Sequence, residues 1–175
     1  MGHLRQTMFK TKKLSDIYAK YLSTSGQPFA SQDVLDILWD SSKKYKVDIL
    51  RMFDTAIVDK DTTKLRFCIA ASFRDGLDKD YSDTIYKIIL DTWHEEHEDL
   101  VDIITSLKDE RFCEPIFKIA IDNSTYRKFD DENESTLRKC VYALKAIETN
   151  KSQHFLTLLT ETQNPNVGYA LEMYK

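Results

Sequence analysis

Turn-forming residues are scarce in this chain, which has 4 glycines and 3 prolines in 175 residues. Strand-rich folds reverse direction often and draw on both, so the scarcity points to helices. No apolar run approaches the roughly 20 residues that a membrane span requires, so no membrane contact is expected. The N-terminal stretch has neither a continuous apolar segment nor a small-residue cleavage site, and a secretory signal is not expected. The 3 cysteines, Cys68, Cys113 and Cys140, are an odd and widely spaced set, unsuited to a disulfide framework or a zinc site. Each stands among apolar neighbours on an expected helix, as buried thiols do in a reducing compartment. The expectation is one domain over residues 1–175, in a cytoplasmic protein.

Signatures of catalysis are also missing. There is no glycine-rich phosphate loop, no dinucleotide fingerprint and no glycine elbow before a serine. A nucleophile would need a base and an orienting acid beside it, yet Cys113 and Cys140 fall on stripes expected to be core. His94-Glu95-Glu96-His97 sets two imidazoles three residues apart, but not in the HExxH order of metalloproteases. Acids leading into a helix are favoured by its dipole, which is the simpler reading of that stretch. Neither an enzyme, a metal site nor a cofactor is expected.

What the chain does have is apolar residues at helical spacing. Between Trp93 and Asp122, Leu100, Val101, Ile104 and Leu107 share one face, and Cys113, Ile116, Phe117 and Ala120 share another. A polar turn at Lys108-Asp109-Glu110 joins them. Neither helix buries its stripe alone, so the pair must be stacked against neighbours.

Before this pair the same spacing marks five helices. The first carries Leu14, Ile17, Tyr18, Tyr21 and Leu22 and stops at Gly26 and Pro28. The second is capped by Ser31, turns Val34, Leu35, Leu38 and Trp39 inward, and ends at Lys43-Lys44. The third buries Ile49, Leu50, Phe53 and Ile57, and stops near Asp59-Lys60-Asp61. The fourth buries Leu65, Cys68, Ile69 and Phe73, and Gly76 closes it. The fifth, capped by Ser82 or Asp83, buries Ile85, Ile88, Ile89 and Trp93.

After the pair come a polar segment over residues 122–134 and three more helices. Their inward sets are Leu137, Cys140, Val141, Leu144 and Ile147, then Phe155, Leu156 and Leu159, then Val167, Ala170, Leu171 and Tyr174. Ten helices and no strand are expected. The turns recur at about 40 residues, the spacing of HEAT and armadillo units. SLKDERFCEPIFKIAI overlays ETQNPNVGYALEMY, pairing Asp109 with Asn164 and Phe112 with Val167. The fold expected is an all-α solenoid of HEAT-like antiparallel helix pairs, recognisable over 82–175 and irregular over 1–80.

The formal net charge of -4 is unevenly spread. Arg5, Lys10, Lys12, Lys13 and Lys20 face the single acid Asp16 in the first twenty residues. Asp91, Glu95, Glu96, Glu98, Asp99 and Asp102 have no Lys or Arg among them, and Asp130, Asp131, Glu132 and Glu134 follow in the polar segment. Such a field repels phosphate backbones and attracts basic proteins. Lys10, Lys12, Lys13, Lys43, Lys44 and Lys46 are the cations a nucleic-acid groove would use, but the overall acidity argues against one.

The runs HEDLVDIITSLKDERFCEPIFKIAI, LRKCVYALKAIETNKSQHFLTLL and NPNVGYALEMY carry a resemblance to small bacterial HEAT-repeat proteins. Those in turn resemble the repeats of phycobilisome-lyase subunits. The matching elements are His97-Glu98-Asp99, the Asp-x-Arg turn at Asp109 to Arg111, and the Leu-x-x-Cys-x-x-Ala-Leu stretch at 137–144. Lys151-Ser152 departs from the pattern, where a small apolar pair is usual. Small stand-alone members resemble immunity proteins of contact-dependent growth inhibition. The resemblance implies a monomer that binds a cognate protein toxin, expected to be a basic nuclease domain, and occludes its active site. The alternative is a scaffold or adaptor for a cellular protein. On the toxin reading, Glu95, Glu96, Glu98, Asp130, Asp131 and Glu132 supply the field, and Tyr126 and Phe129 supply apolar anchors.

Overall fold

The computed structural model describes residues 13–24 and 35–173, and all regular structure among them is helical. The order is α1 (Leu14–Thr24), α2 (residues 35–38), α3 (Lys46–Asp59), α4 (Thr62–Asp75), α5 (Ser82–Ile88), α6 (His97–Leu107), α7 (Cys113–Ile121), α8 (Ser135–Ile147), α9 (Asn150–Glu161) and α10 (Pro165–Met173). Single 3-10 turns, Lys79–Tyr81 and Glu110–Phe112, run straight into α5 and α7. No helix among the described residues is long and apolar enough to cross a membrane. The expected Gly26 and Pro28 stop, the Ser31 cap, Val34 and Tyr174 lie outside the described residues.

With so little glycine, the helices end by another device. Lys60, Lys108, Glu148 and Gln163 close α3, α6, α8 and α9 in the left-handed conformation, with φ of 51, 53, 57 and 56°. Each is followed at once by a side chain that caps the next helical turn. Asp61 accepts from the backbone of Lys64 at 2.9 Å, and Asp109 from that of Arg111 at 3.0 Å. Thr149 and Ser152 form a reciprocal capping box, and Asn164 accepts from the backbone of Asn166 at 2.8 Å. Two adjacent residues thus stop one helix and start another. Gly76, at φ 96°, is the glycine among the described residues that takes a positive φ, and it closes α4 as the sequence predicts.

Packing runs through two series of helices. In the first, α4, α6, α8 and α10 touch in succession; in the second, α3 meets α5 and α7 meets α9. Cross-contacts between α3 and α4, α5 and α6, α7 and α8, and α9 and α10 tie the series together. The helix pair that stands out in the sequence, α6 with α7, is not the main packing pair. α6 packs chiefly on α8, and α7 on α8 and α9. The hub is α8, whose Leu137, Cys140, Val141, Leu144 and Ile147 are all buried as expected. Each fully buried Leu, Val or Ile contributes roughly 1.5–3 kcal/mol, so this one stripe outweighs any surface ion pair.

Several inward assignments shift. Phe73 and Leu22 are largely exposed, while Phe67 on α4 is fully buried under Tyr18 and Tyr21, at ring distances of 4.9 and 5.2 Å. α5 ends at Ile88, so Trp93 lies in the link to α6, half-buried, with its indole donating to Asp91 at 2.8 Å. α5 is led in by Asp78, not by Ser82 or Asp83; its carboxylate accepts from the backbone of Asp80 at 3.0 Å. Helical structure after residue 35 ends at 38, well before Lys43-Lys44, and Trp39 packs at a tilt against Tyr45, ring centres 4.8 Å apart.

Candidate functional site

The link before α6 and the segment before α8 meet on one side of the molecule. Lys128 in the later segment pairs with Glu95 in the earlier link at 2.5 Å. Behind that pair, Trp93, His94, His97 and Tyr126 form a ladder of rings with centroid distances of 4.9, 4.8 and 5.0 Å. Tyr126 is half-buried, with its edge on His97 and its hydroxyl 3.4 Å from the Leu90 carbonyl oxygen. It fastens the segment to the protein and does not stand out as an anchor.

Both histidines are buried and used internally. Nε2 of His94 lies 2.9 Å from the Ile88 carbonyl, and its Nδ1 accepts from the Glu96 backbone at 3.2 Å. That pattern fits a neutral ring protonated on Nε2. Nε2 of His97 lies 3.0 Å from the Asp91 carbonyl. Burial, with His94 alongside, pushes His97 down to about 4, and burial lowers His94 as well. The pair closes the 88–97 link, and no group of metal-ligating side chains is found among the described residues.

The polar segment is built around Arg127, which is itself buried. Its Nε donates to the Ile119 carbonyl at 3.2 Å, and its Nη1 reaches Asp130 at 3.0 Å and Glu134 at 3.1 Å. Asp130 also accepts from the backbone of Thr136 at 3.0 Å, capping α8. Burial alone would raise the Asp130 carboxyl, but hydrogen bonds from Thr136 and Arg127 outweigh it and hold it below the usual carboxylate range. Glu134 accepts from Asn164 at 2.7 Å and Asn166 at 2.9 Å, while Asn166 accepts from Arg138 at 2.7 Å. The segment is therefore braced from three sides.

Exposure of the expected acid field holds only in part. Glu96 is 9 % exposed and bound at 2.6 Å to Arg66, whose side chain is itself half in solvent, so it is a buried, paired acid and not a solvated one. Asp130 is likewise turned inward, as the cap and Arg127 partner just described. Both depart from expectation because a run of charges in sequence says nothing of the cations that folding brings to it. Arg66, Lys128 and Lys139 all reach the 95–102 stretch, the last binding Glu98 at 2.9 Å and Asp102 at 2.6 Å. Asp131, Glu132 and the rim of Glu95 face solvent. In the same segment Phe129 stands 71 % exposed, with the Lys128 ammonium 5.0 Å from its ring centre.

The keystone role of Arg127 is the main feature that sequence reading missed. Its signal was an arginine inside an acidic segment that leads into a helix. Cys68, Cys113 and Cys140 are buried, and burial raises all three thiols, which keeps them protonated. Comparison with known proteins finds no matching family model, no matching curated protein and no matching solved structure.

Proposed function

We propose that this chain is a HEAT-like α-solenoid that acts as an immunity protein, binding a basic toxin domain and covering its active site without catalysing a reaction. The two contact series of helices, cross-linked at α3–α4, α5–α6, α7–α8 and α9–α10, support the stacked-hairpin reading. One observation carries the functional half. Phe129 is held out into solvent on a segment that a buried arginine and two asparagines brace from below. An aromatic residue fixed on a braced loop is pre-organised for a partner, and such residues dominate interface energetics. Asp131 and Glu132, exposed two and three residues on, favour a basic partner and speed its approach.

The test is to titrate the chain with the toxin domain encoded beside it. Nanomolar binding, about 12 kcal/mol, supports the reading. No binding at micromolar concentration in moderate salt removes it. A stable complex with a cellular protein and none with the toxin would favour the adaptor instead.

A further inference from the structure

The ring ladder joins two surface stretches, and one of its nitrogens is free to take a proton. Nδ1 of His94 is engaged, since it accepts from the Glu96 backbone at 3.2 Å. His97 uses its Nε2, which donates to the Asp91 carbonyl at 3.0 Å. Its Nδ1 has no hydrogen-bond partner among the described residues, so a second proton settles there first. The segment over 122–134 keeps that proton off. Tyr126 lies edge-on to His97 at 5.0 Å and helps to bury it, and the Lys128 ammonium adds a like charge. Asp91 pulls the other way, but its carboxylate is engaged by the Trp93 indole at 2.8 Å. On the helices packed against α6, Arg66 of α4 is paired with Glu96, Lys139 of α8 with Glu98 and Asp102, and Lys87 of α5 with Asp54.

When the segment swings off, His97 gains water and loses Lys128, and both changes favour its imidazolium. Acid therefore favours the open state, by up to about tenfold for each pH unit below the ordinary histidine value. The contacts to be broken are weak ones. The Tyr126 hydroxyl is 3.4 Å from the Leu90 carbonyl oxygen, and Lys128 and Glu95 are both half exposed. Arg127 stands between these two side chains in the chain and is buried. Its partner Asp130 is held below the usual carboxylate range, so the brace outlasts them. We propose that Tyr126 and Lys128 form a latch on the link before α6 that acid releases, with Arg127 as its pivot and His97 as its proton sensor. Phe129 adjoins Lys128 and packs its ring under that ammonium, so release unfixes the exposed aromatic as well. Its bearing on partner binding rests on the function proposed above, while the latch itself is measured on the chain alone.

The ring resonances of Tyr126 and His97 are followed in the whole chain from about pH 7.5 to about pH 4, with circular dichroism alongside. Both rings are expected to shift at one shared midpoint between about 4 and 6.5, with the helical spectrum unchanged. His97→Gln keeps a donor for the Asp91 carbonyl but takes no proton, and should hold Tyr126 in place through the range. Lys128→Gln removes both the like charge and the Glu95 pair, and should move the shared midpoint up by about 0.5 of a pH unit. Tyr126 unmoved while His97 takes its proton, an equal Tyr126 shift in His97→Gln, or loss of helix at the same midpoint would each overturn the proposal.

Discussion

The guanidinium of Arg127 lies 3.0 Å from Oδ2 of Asp130, and both side chains are almost wholly withdrawn from solvent. Breaking a buried pair from one side leaves the other charge stranded, at a cost of about 3 kcal/mol or more. Arg127→Met should therefore lower unfolding stability by that order in urea, although the substitution sits in a polar segment. It should also sharpen the Phe129 resonances as the segment loosens. A change below about 1 kcal/mol would show that the brace is ornamental.

The buried histidines give stability a defined pH window. The unfolded His97 imidazole takes its proton near 6.5 and the folded one only near 4. Between those values the unfolded state binds more protons, so stability is full above 6.5 and falls as pH drops towards 4. The expected loss is on the order of 3 kcal/mol across that window. Denaturant midpoints measured through it should show the loss in the parent and a smaller one in His97→Gln. A flat profile in the parent would mean that the ring is not neutral in the fold.

Four helices end on a non-glycine residue in the left-handed region, each at a cost of roughly 1–2 kcal/mol. Glycine removes that cost but loses more entropy on folding, roughly 0.5–1 kcal/mol. Lys108→Gly and Glu148→Gly should each stabilise the protein by about 0.5 kcal/mol, by thermal denaturation. Destabilisation would indicate that the lysine stem or the glutamate makes contacts that matter more than backbone strain.

These turns also show how much was legible beforehand. The stops at Asp59-Lys60-Asp61, Lys108-Asp109 and Gln163-Asn164 read correctly, because capping side chains are local chemistry. So did the buried stripes of α6 and α8, where apolar spacing matches the helix period; on α3, Ile49 and Phe53 are buried but Leu50 and Ile57 only in part. What failed needed the third dimension. Phe67 and Phe73 both sit on α4, and only the arrival of α1 decides which is covered. Pairing Asp109 with Asn164 was locally right, since both accept from the backbone two residues on. Yet α7 and α10 fall in different contact series, so a local match did not give their place in the packing. At the site, acidity was legible residue by residue, but its neutralisation by Arg66, Lys128 and Lys139 was not.

That neutralisation separates two kinds of acid. Glu96→Gln removes the charge that holds Arg66, whose half-exposed guanidinium stays hydrated, and should cost about 1 kcal/mol of stability, read from the urea midpoint. Glu95→Lys with Glu132→Lys changes solvent-facing charges and should leave stability within about 1 kcal/mol. The same double substitution should slow association with a basic partner several-fold at low salt and less at high salt. Equal on-rates would mean that this rim is solvated surface.

The most direct measurement is the affinity of parent and Phe129→Ala for a basic toxin domain of the kind proposed as partner, at about 50 and 300 mM salt. An aromatic anchor predicts nanomolar binding by the parent, weakened about thirtyfold or more by Phe129→Ala at both salt concentrations, with stability unchanged. Identical affinities for parent and variant, or no binding by either at micromolar concentration, would contradict it.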